Sequence, residues 1–278
     1  MPTRIVVTLE PSSPGALPPP HTGPGVAAAV LAALDRRRPD LAARFHDAAP
    51  PKPYTLTPLL DERDQPPRAG SATVRFELGL LVDELFAPVY EALLTEQVWR
   101  VGRTAYRPLA VEAQATASYA ALAAQATPAT EVGFRLITPM GFSTAKEEGA
   151  RRQRPLPQPE WVFRALAARW HAFAPPGGAL DLPSSLGRAV EEHLEVVDCE
   201  LRIAEHLVKP KVLPVRGCVG TIRYGLADAG QVPADAQAAL DLLATFATYA
   251  GLGDRTTIGM GHATRLPGKR PGGAARAR

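Results

Sequence analysis

The sequence predicts an α+β protein made of two tandem ferredoxin-like (βαββαβ) units that end in a glycine-rich loop. Three observations carry this. Runs rich in Val, Ile and Leu alternate with Ala/Leu-rich helical segments, and they do so twice in the same order. A connection near residues 121–130 separates the two sets. A long apolar segment, residues 238–249, then runs into Gly251-Leu252-Gly253 and, after five intervening residues, Gly259-Met260-Gly261.

In the first set, residues 3–9 form a strand, because Ile5, Val6, Val7 and Leu9 suit a buried pleat. Residues 25–35 are an Ala/Val/Leu-rich helix. A short second helix runs from an Asp40 cap through Leu41, Arg44, Phe45 and His46, and Pro50, Pro51 and Pro53 stop it. An extended piece over 54–60, a strand over 73–81, a helix over 86–94 and a strand within 103–115 complete the unit.

In the second set, residues 131–138 are a strand. Pro159 opens a helix with Trp161, Val162, Leu166 and Trp170 on one face. A helix capped by Ser184 or Ser185 carries Ala189 and Leu194. Strands over 196–203 and 217–224, a helix over 234–249 and a terminal strand ending near Leu266 follow. The expected domains are thus 1–125 and 131–266. Residues 267–278, full of Gly, Pro, Ala and Arg, are expected to be a disordered basic tail.

Composition bounds function before any motif does. The chain has 278 residues, 46% apolar and 21% charged, which is ordinary for a globular protein of about two domains. It has no run of about 18 apolar residues and no apolar leader core, so a cytoplasmic protein that does not span membranes is expected. Cys199 and Cys218 lie far apart, outside metal-ligand spacing. They are expected to be buried thiols, with no metal or other cofactor. The net charge is +3. Residues 1–130 carry 12 Lys/Arg against 13 Asp/Glu, and residues 131–278 carry 19 against 15, an excess that fits a polyanionic partner as well as plain solvated charge.

The glycine loop is the most informative feature. Gly251, Gly253, Gly259 and Gly261 permit positive φ and close approach of backbone N–H groups to a sugar–phosphate chain, and Arg255 adds a cation between them. The plainer reading is a tight turn with glycines at packing contacts. A nucleotide cradle of the usual kind is disfavoured, since the loop follows a helix and precedes a strand, opposite to the P-loop and dinucleotide orders.

Residues 246–261 resemble, almost residue by residue, the C-terminal signature of the CRISPR repeat-processing endoribonucleases of the repeat-associated RNA-binding (RAMP) superfamily. Residues 137–142 and 155–164 are similar to further family segments. So is the stretch 41–47 followed by Lys52-Pro53-Tyr54-Thr55, in the region where the family's cleavage chemistry resides. Two positions depart from the pattern: His171 stands in the Asn slot of the family's W-N-x-F phrase, and Leu31 stands where several relatives have a tyrosine.

The resemblance implies metal-independent cleavage of precursor CRISPR RNA within the repeat, leaving a 2′,3′-cyclic phosphate and a 5′-hydroxyl. His46 is the candidate acid/base, because imidazole takes or gives a proton near neutral pH. Lys52 is the candidate cation for charge growing on the phosphate. A helix-end histidine and a loop lysine are also common as plain surface charges. With a tyrosine missing at Leu31, His21 and Tyr54 remain as loose alternatives for a third group. His171 reads as a packing residue, His193 and His206 flank apolar strands or helix ends with no carboxylate or cysteine at metal-ligand spacing, and His262 reads as a strand-face residue close to the loop.

RNA binding is assigned to Lys146, Arg151, Arg152, Arg154, Lys209, Lys211 and Arg216, together with Gly251, Gly253, Arg255, Gly259 and Gly261, aided by Lys269 and Arg270. CRISPR repeat RNA is the expected partner. Effector-complex subunits and a second copy of the chain are further partners the resemblance allows. The competing reading is a non-catalytic RNA-binding RAMP subunit of a CRISPR effector complex, which the missing tyrosine keeps open.

Overall fold

Along β1 (Thr3–Pro11), Ile5, Val7 and Leu9 are fully buried on the core face, while on the other face Arg4 and Thr8 are half-buried and Val6 between them is buried. The structure is a computed structural model, describing residues 1–13, 15, 18, 19, 21–145, 151–177, 180–208 and 214–268. On the apolar face of β1 lie α1 (Gly23–Arg37), α2 (Pro39–Asp47) and α3 (Phe86–Thr95), which share one core with it. The sheet is completed by β2 (Tyr54–Leu56), β3 (Val74–Leu80), β4 (Trp99–Val101) and β5 (Thr104–Thr116), in the order β2-β3-β1-β5-β4.

After α4 (Tyr119–Gln125), the second half repeats the plan. Its strands are β6 (Glu131–Met140), β9 (Leu194–His206), β10 (Val215–Leu226) and β11 (Ala263–Arg265), ordered β11-β6-β10-β9. The helices α5 (Pro159–Phe173), α6 (Ser185–His193) and α7 (Ala234–Ala250) build its core around Trp170, Phe134, Phe163 and Phe246. In both sheets the first strand of the set lies between the third and the fourth, the antiparallel ferredoxin-like order the sequence predicts.

Several local expectations are corrected. The short helix starts one residue earlier than its proposed cap, with Arg38 at the N-cap, Pro39 opening the helix and Asp40 in the first turn. Part of the expected connection is helical, since Ser118 caps α4 by accepting the Ala121 N–H at 2.9 Å. Leu194 begins β9 rather than ending α6. Strand β4 and the two-stranded ribbon of β7 (Phe142–Ala145) and β8 (Arg151–Arg154) went unpredicted, all three being short and β8 consisting only of Arg and Gln. Cys218 is buried as expected, but Cys199 is exposed, and so is His171.

The halves meet at the glycine loop. Thr55 in β2 donates its hydroxyl to the Tyr249 carbonyl at 3.1 Å, and a Cβ on Gly79 of β3 would stand 2.4 Å from that same oxygen. Gly23, at the start of α1, leaves no room for a side chain: its Cβ would lie 2.2 Å from the Ile258 carbonyl oxygen. The Arg135–Asp64 ion pair and the contact of His262 Nε2 with the Glu77 carboxylate, each at 3.6 Å, also join the two halves. Among the described residues no helix is long and apolar enough to cross a membrane.

Candidate active site

Helix α2 is held by one apolar stripe, Leu41, Ala42 and Phe45, which turns His46 outward. The His46 side chain is 75% exposed, and its Nδ1 lies 2.8 Å from Oδ1 of Asp47. With Nδ1–H donated to that carboxylate, Nε2 keeps its lone pair and is free to take a proton. Beside it runs an open groove of about 380 Å³, whose lining includes Leu31, Asp35, His46 and Asp47. Leu31 is a partly buried packing residue of α1 at the edge of the first core.

The Lys52 ammonium closes the C-terminal end of α2. Nζ donates to the Phe45 carbonyl at 2.8 Å and to the His46 carbonyl at 2.7 Å, placing a cation where the helix dipole is negative. Burial lowers its pKa below the ordinary lysine value, and Asp47 opposes the shift. Two of its N–H bonds are thus committed to the helix end and the third is left for other partners. Tyr54 donates to the same Phe45 carbonyl at 3.2 Å and stacks on the Phe45 ring with centroids 4.2 Å apart. Burial pushes the Tyr54 hydroxyl up to about 12, and a hydrogen bond from Thr257 of the glycine loop partly offsets it. The loop and the His46 helix therefore meet at one phenol.

The loop is packed rather than open. Gly251 (φ +66°) ends α7 by donating its N–H to the Ala247 carbonyl at 2.8 Å. Leu252 N–H bonds the Gly261 carbonyl at 2.8 Å, Asp254 N–H the Gly141 carbonyl at 2.9 Å, and Gly261 N–H the Pro139 carbonyl at 3.0 Å. A Cβ at Gly261 would stand 1.9 Å from the Leu252 oxygen, one at Gly253 2.5 Å from the Gly141 oxygen, and one at Gly259 2.7 Å from Gly23 Cα. All four glycines are buried, while Arg255, in the left-handed region at φ +59°, is half-exposed.

One residue that sequence reasoning missed holds this loop. Arg169 of α5 is half-buried, and its guanidinium donates to the Gly251 carbonyl at 2.9 Å, the Gly253 carbonyl at 2.6 Å and the Thr256 hydroxyl at 3.4 Å. Burial lowers its pKa to about 10, and the charge of Asp254 opposes that shift. A signal was present: Arg169 continues the apolar row Val162, Leu166 and Phe173, where a charge demands buried partners. His206, expected from the sequence only to flank an apolar strand or helix end, sits buried at the end of β9. Its Nε2 donates to the Ile258 carbonyl at 2.9 Å, and burial lowers its pKa to about 4. The ring of His21 stands edge-on to it at 6.0 Å.

The basic residues are partly gathered. The Gln153 side chain accepts the Arg216 N–H at 2.8 Å, so the ribbon bearing Arg152 and Arg154 lies beside the start of β10. The carbonyls of Arg154 and Arg216 converge on Gly141, whose own carbonyl receives the Asp254 N–H. Arg154 sits over the Trp161 ring at 5.9 Å, and Arg216 pairs with Glu205 at 3.3 Å. Arg151 lies in β8, while Lys146, Lys209, Lys211, Lys269 and Arg270 fall outside the described residues.

The family model of the CRISPR-associated endoribonuclease Cas6 matches residues 134–263. A solved structure described as a Cas6 (TTHB231) product complex is 30% identical, with a TM-score of 0.81 over 96% of this chain and 100% of that one. This chain belongs to the Cas6 family. A second structure, Thermus thermophilus Cas6 (TTHB231), is 29% identical over 96% of this chain and 98% of that one, with a TM-score of 0.71. A Cas6 (TTHA0078) product complex, 24% identical over 96% and 99% of the two chains with a TM-score of 0.72, shares the fold. No curated protein matches this chain by sequence. The segment matched by the Cas6 family model spans β6 to β11, so it contains Arg169 and the whole glycine loop.

Proposed function

We propose that this Cas6 protein cuts precursor CRISPR RNA within its repeat by attack of the RNA's own 2′-hydroxyl, without a metal ion. His46 is the acid/base group: Nε2 takes the 2′-hydroxyl proton, or in its protonated form gives one to the leaving 5′-oxygen, and the products are a 2′,3′-cyclic phosphate and a 5′-hydroxyl. The observation that supports this reading is the link from Phe45, next to His46, through Tyr54 to Thr257, which ties the end of the His46 helix to the glycine loop. Lys52 serves in two ways, holding the end of α2 with two N–H bonds and offering the third to the phosphate.

The groove flanked by Asp35 and Asp47 does not suit a polyanion, so the scissile phosphate reaches His46 from the loop side. Residues 1–125 supply the cleavage groups, and residues 131–266 grip the RNA through Arg152, Arg154, Arg216 and Arg255. The buried state of Gly251, Gly253, Gly259 and Gly261 gives them a shaping role: they let the loop fold tightly enough to present Arg255. A mature guide RNA is the product, and an effector complex that takes it up is the downstream partner.

Incubation of the protein with its repeat RNA in EDTA, followed by analysis of the product ends, tests this reading. A cyclic phosphate and a 5′-hydroxyl at a single site are expected. Tight binding with no cleavage would replace the enzyme reading with the non-catalytic RNA-binding subunit.

A further inference from the structure

Asp47 is the last residue of α2, at the negative end of the helix dipole, where a carboxylate is unfavourable. Helix stability therefore does not account for Asp47, and its contacts do. Its Oδ1 lies 2.8 Å from Nδ1 of His46, and among the described residues no other side chain is hydrogen-bonded to that ring. Leu31, in the slot where relatives of the family carry a tyrosine, lines the same groove and offers it no polar atom. Asp35 of α1 is the other carboxylate in the groove. The charge of Asp47 also reaches Lys52, where it opposes the loss of a proton that burial favours. One carboxylate thus stands beside both groups assigned to cleavage.

We propose that Asp47 is a positioning residue of the cleavage site, holding the His46 proton on Nδ1 and turning Nε2 to the RNA. The inference rests on the reading of His46 as the acid/base group. A neutral imidazole carries one ring proton, and the hydrogen bond made by one nitrogen decides where it sits. A carboxylate can only accept, so the nitrogen facing Asp47 is the donor and Nε2 keeps the lone pair. In the reaction the 2′-hydroxyl proton passes to Nε2, the Nδ1 proton stays in place, and Asp47 remains ionised beside the imidazolium. Asp47→Asn puts an amide at this point that donates as readily as it accepts, so the choice of tautomer is lost. Charge gives the test its sign. A carboxylate with no part in the reaction would only repel the RNA, and its removal would leave cleavage at or above the wild-type rate.

Single-turnover cleavage of the repeat RNA by saturating protein, measured beside RNA affinity and melting temperature, tests the role in Asp47→Asn and Asp47→Ala. Both variants are expected to cut slower than wild type by roughly tenfold or more, while melting as wild type does and binding the RNA at least as tightly. Nitrogen NMR of the neutral His46 ring, assigned by comparison with His46→Ala, reads the tautomer directly, and in wild type the proton is expected on Nδ1. Cleavage at or above the wild-type rate in both Asp47 variants overturns the proposal, and so does a wild-type ring with its proton on Nε2. His46→Ala separates this inference from the reading beneath it. If His46→Ala cuts as fast as wild type, the assignment of His46 fails and the role of Asp47 falls with it. If His46→Ala is slow while Asp47→Asn cuts at the full rate, the role of Asp47 fails alone.

Discussion

The hydroxyl of Tyr54 lies 3.2 Å from the carbonyl oxygen of Phe45 and also receives a hydrogen bond from Thr257, so one buried phenol joins the end of the His46 helix to the glycine loop. Removing it leaves the Phe45 carbonyl with Lys52 alone. Tyr54→Phe keeps the stacked ring and is expected to cost about 1 kcal/mol in urea denaturation. It should slow single-turnover cleavage with little change in RNA affinity, because it loosens the position of His46 and leaves the basic surface intact.

Arg169 is a half-buried cation whose loss leaves two carbonyls and a hydroxyl without their donor. Arg169→Ala is expected to destabilise the protein by roughly 3 kcal/mol, and Arg169→Lys by less, as measured by chemical denaturation. RNA affinity should fall with the alanine variant at temperatures where it is still folded, since the loop that presents Arg255 loses its anchor.

Two glycines make opposite predictions. Gly261 has φ +72° and a carbonyl oxygen 1.9 Å from where a Cβ would stand, so Gly261→Ala is expected to cost roughly 3 kcal/mol or more. Gly187, inside α6, has nothing within 4 Å of that point, and Gly187→Ala is expected to stabilise by roughly 0.5–1 kcal/mol. Thermal melting of both variants checks the pair.

The pH dependence of stability follows from His206. Its folded pKa, about 4, lies below the unfolded value of 6.5, so the unfolded chain binds the extra proton between these values. The contribution is therefore complete above pH 6.5 and is lost as pH falls toward 4, with an upper bound of roughly 3 kcal/mol. In wild type the melting temperature should fall over that window, and His206→Gln should flatten the slope while lowering stability at pH 7. Equal slopes in the two proteins would assign the acid sensitivity to other groups, of which His262, its pKa also lowered by burial, is the first to examine.

The fold was legible because both sheets rest on strands with a clear apolar period, such as Ile5-Val7-Leu9 and Phe134-Leu136, and on helices with unbroken apolar rows. The β7–β8 ribbon was not, since its residues answer to pairing with each other and to the Gln153–Arg216 contact rather than to a core of their own. Within the candidate site, His46 and Lys52 were picked out by family likeness. Their relation was not readable, because the bonds of Lys52 to the helix end depend on how the 48–51 loop returns. The glycine pairs marked the loop correctly as special but gave no sign that it is the joint between the two halves, which only Gly23, Thr55 and Gly79 on the facing half reveal.

The central claim is that His46 moves the proton in an attack by the RNA's own 2′-hydroxyl. Single-turnover cleavage of the repeat RNA in EDTA tests it most directly, with wild type and His46→Ala each given natural RNA and RNA bearing one 2′-deoxy substitution at the cut. The account predicts cleavage only by wild type on natural RNA, with His46→Ala slower by roughly 100-fold or more and still binding the RNA. Undiminished cutting by His46→Ala would contradict the assignment of His46, and cutting of the 2′-deoxy RNA would contradict the mechanism.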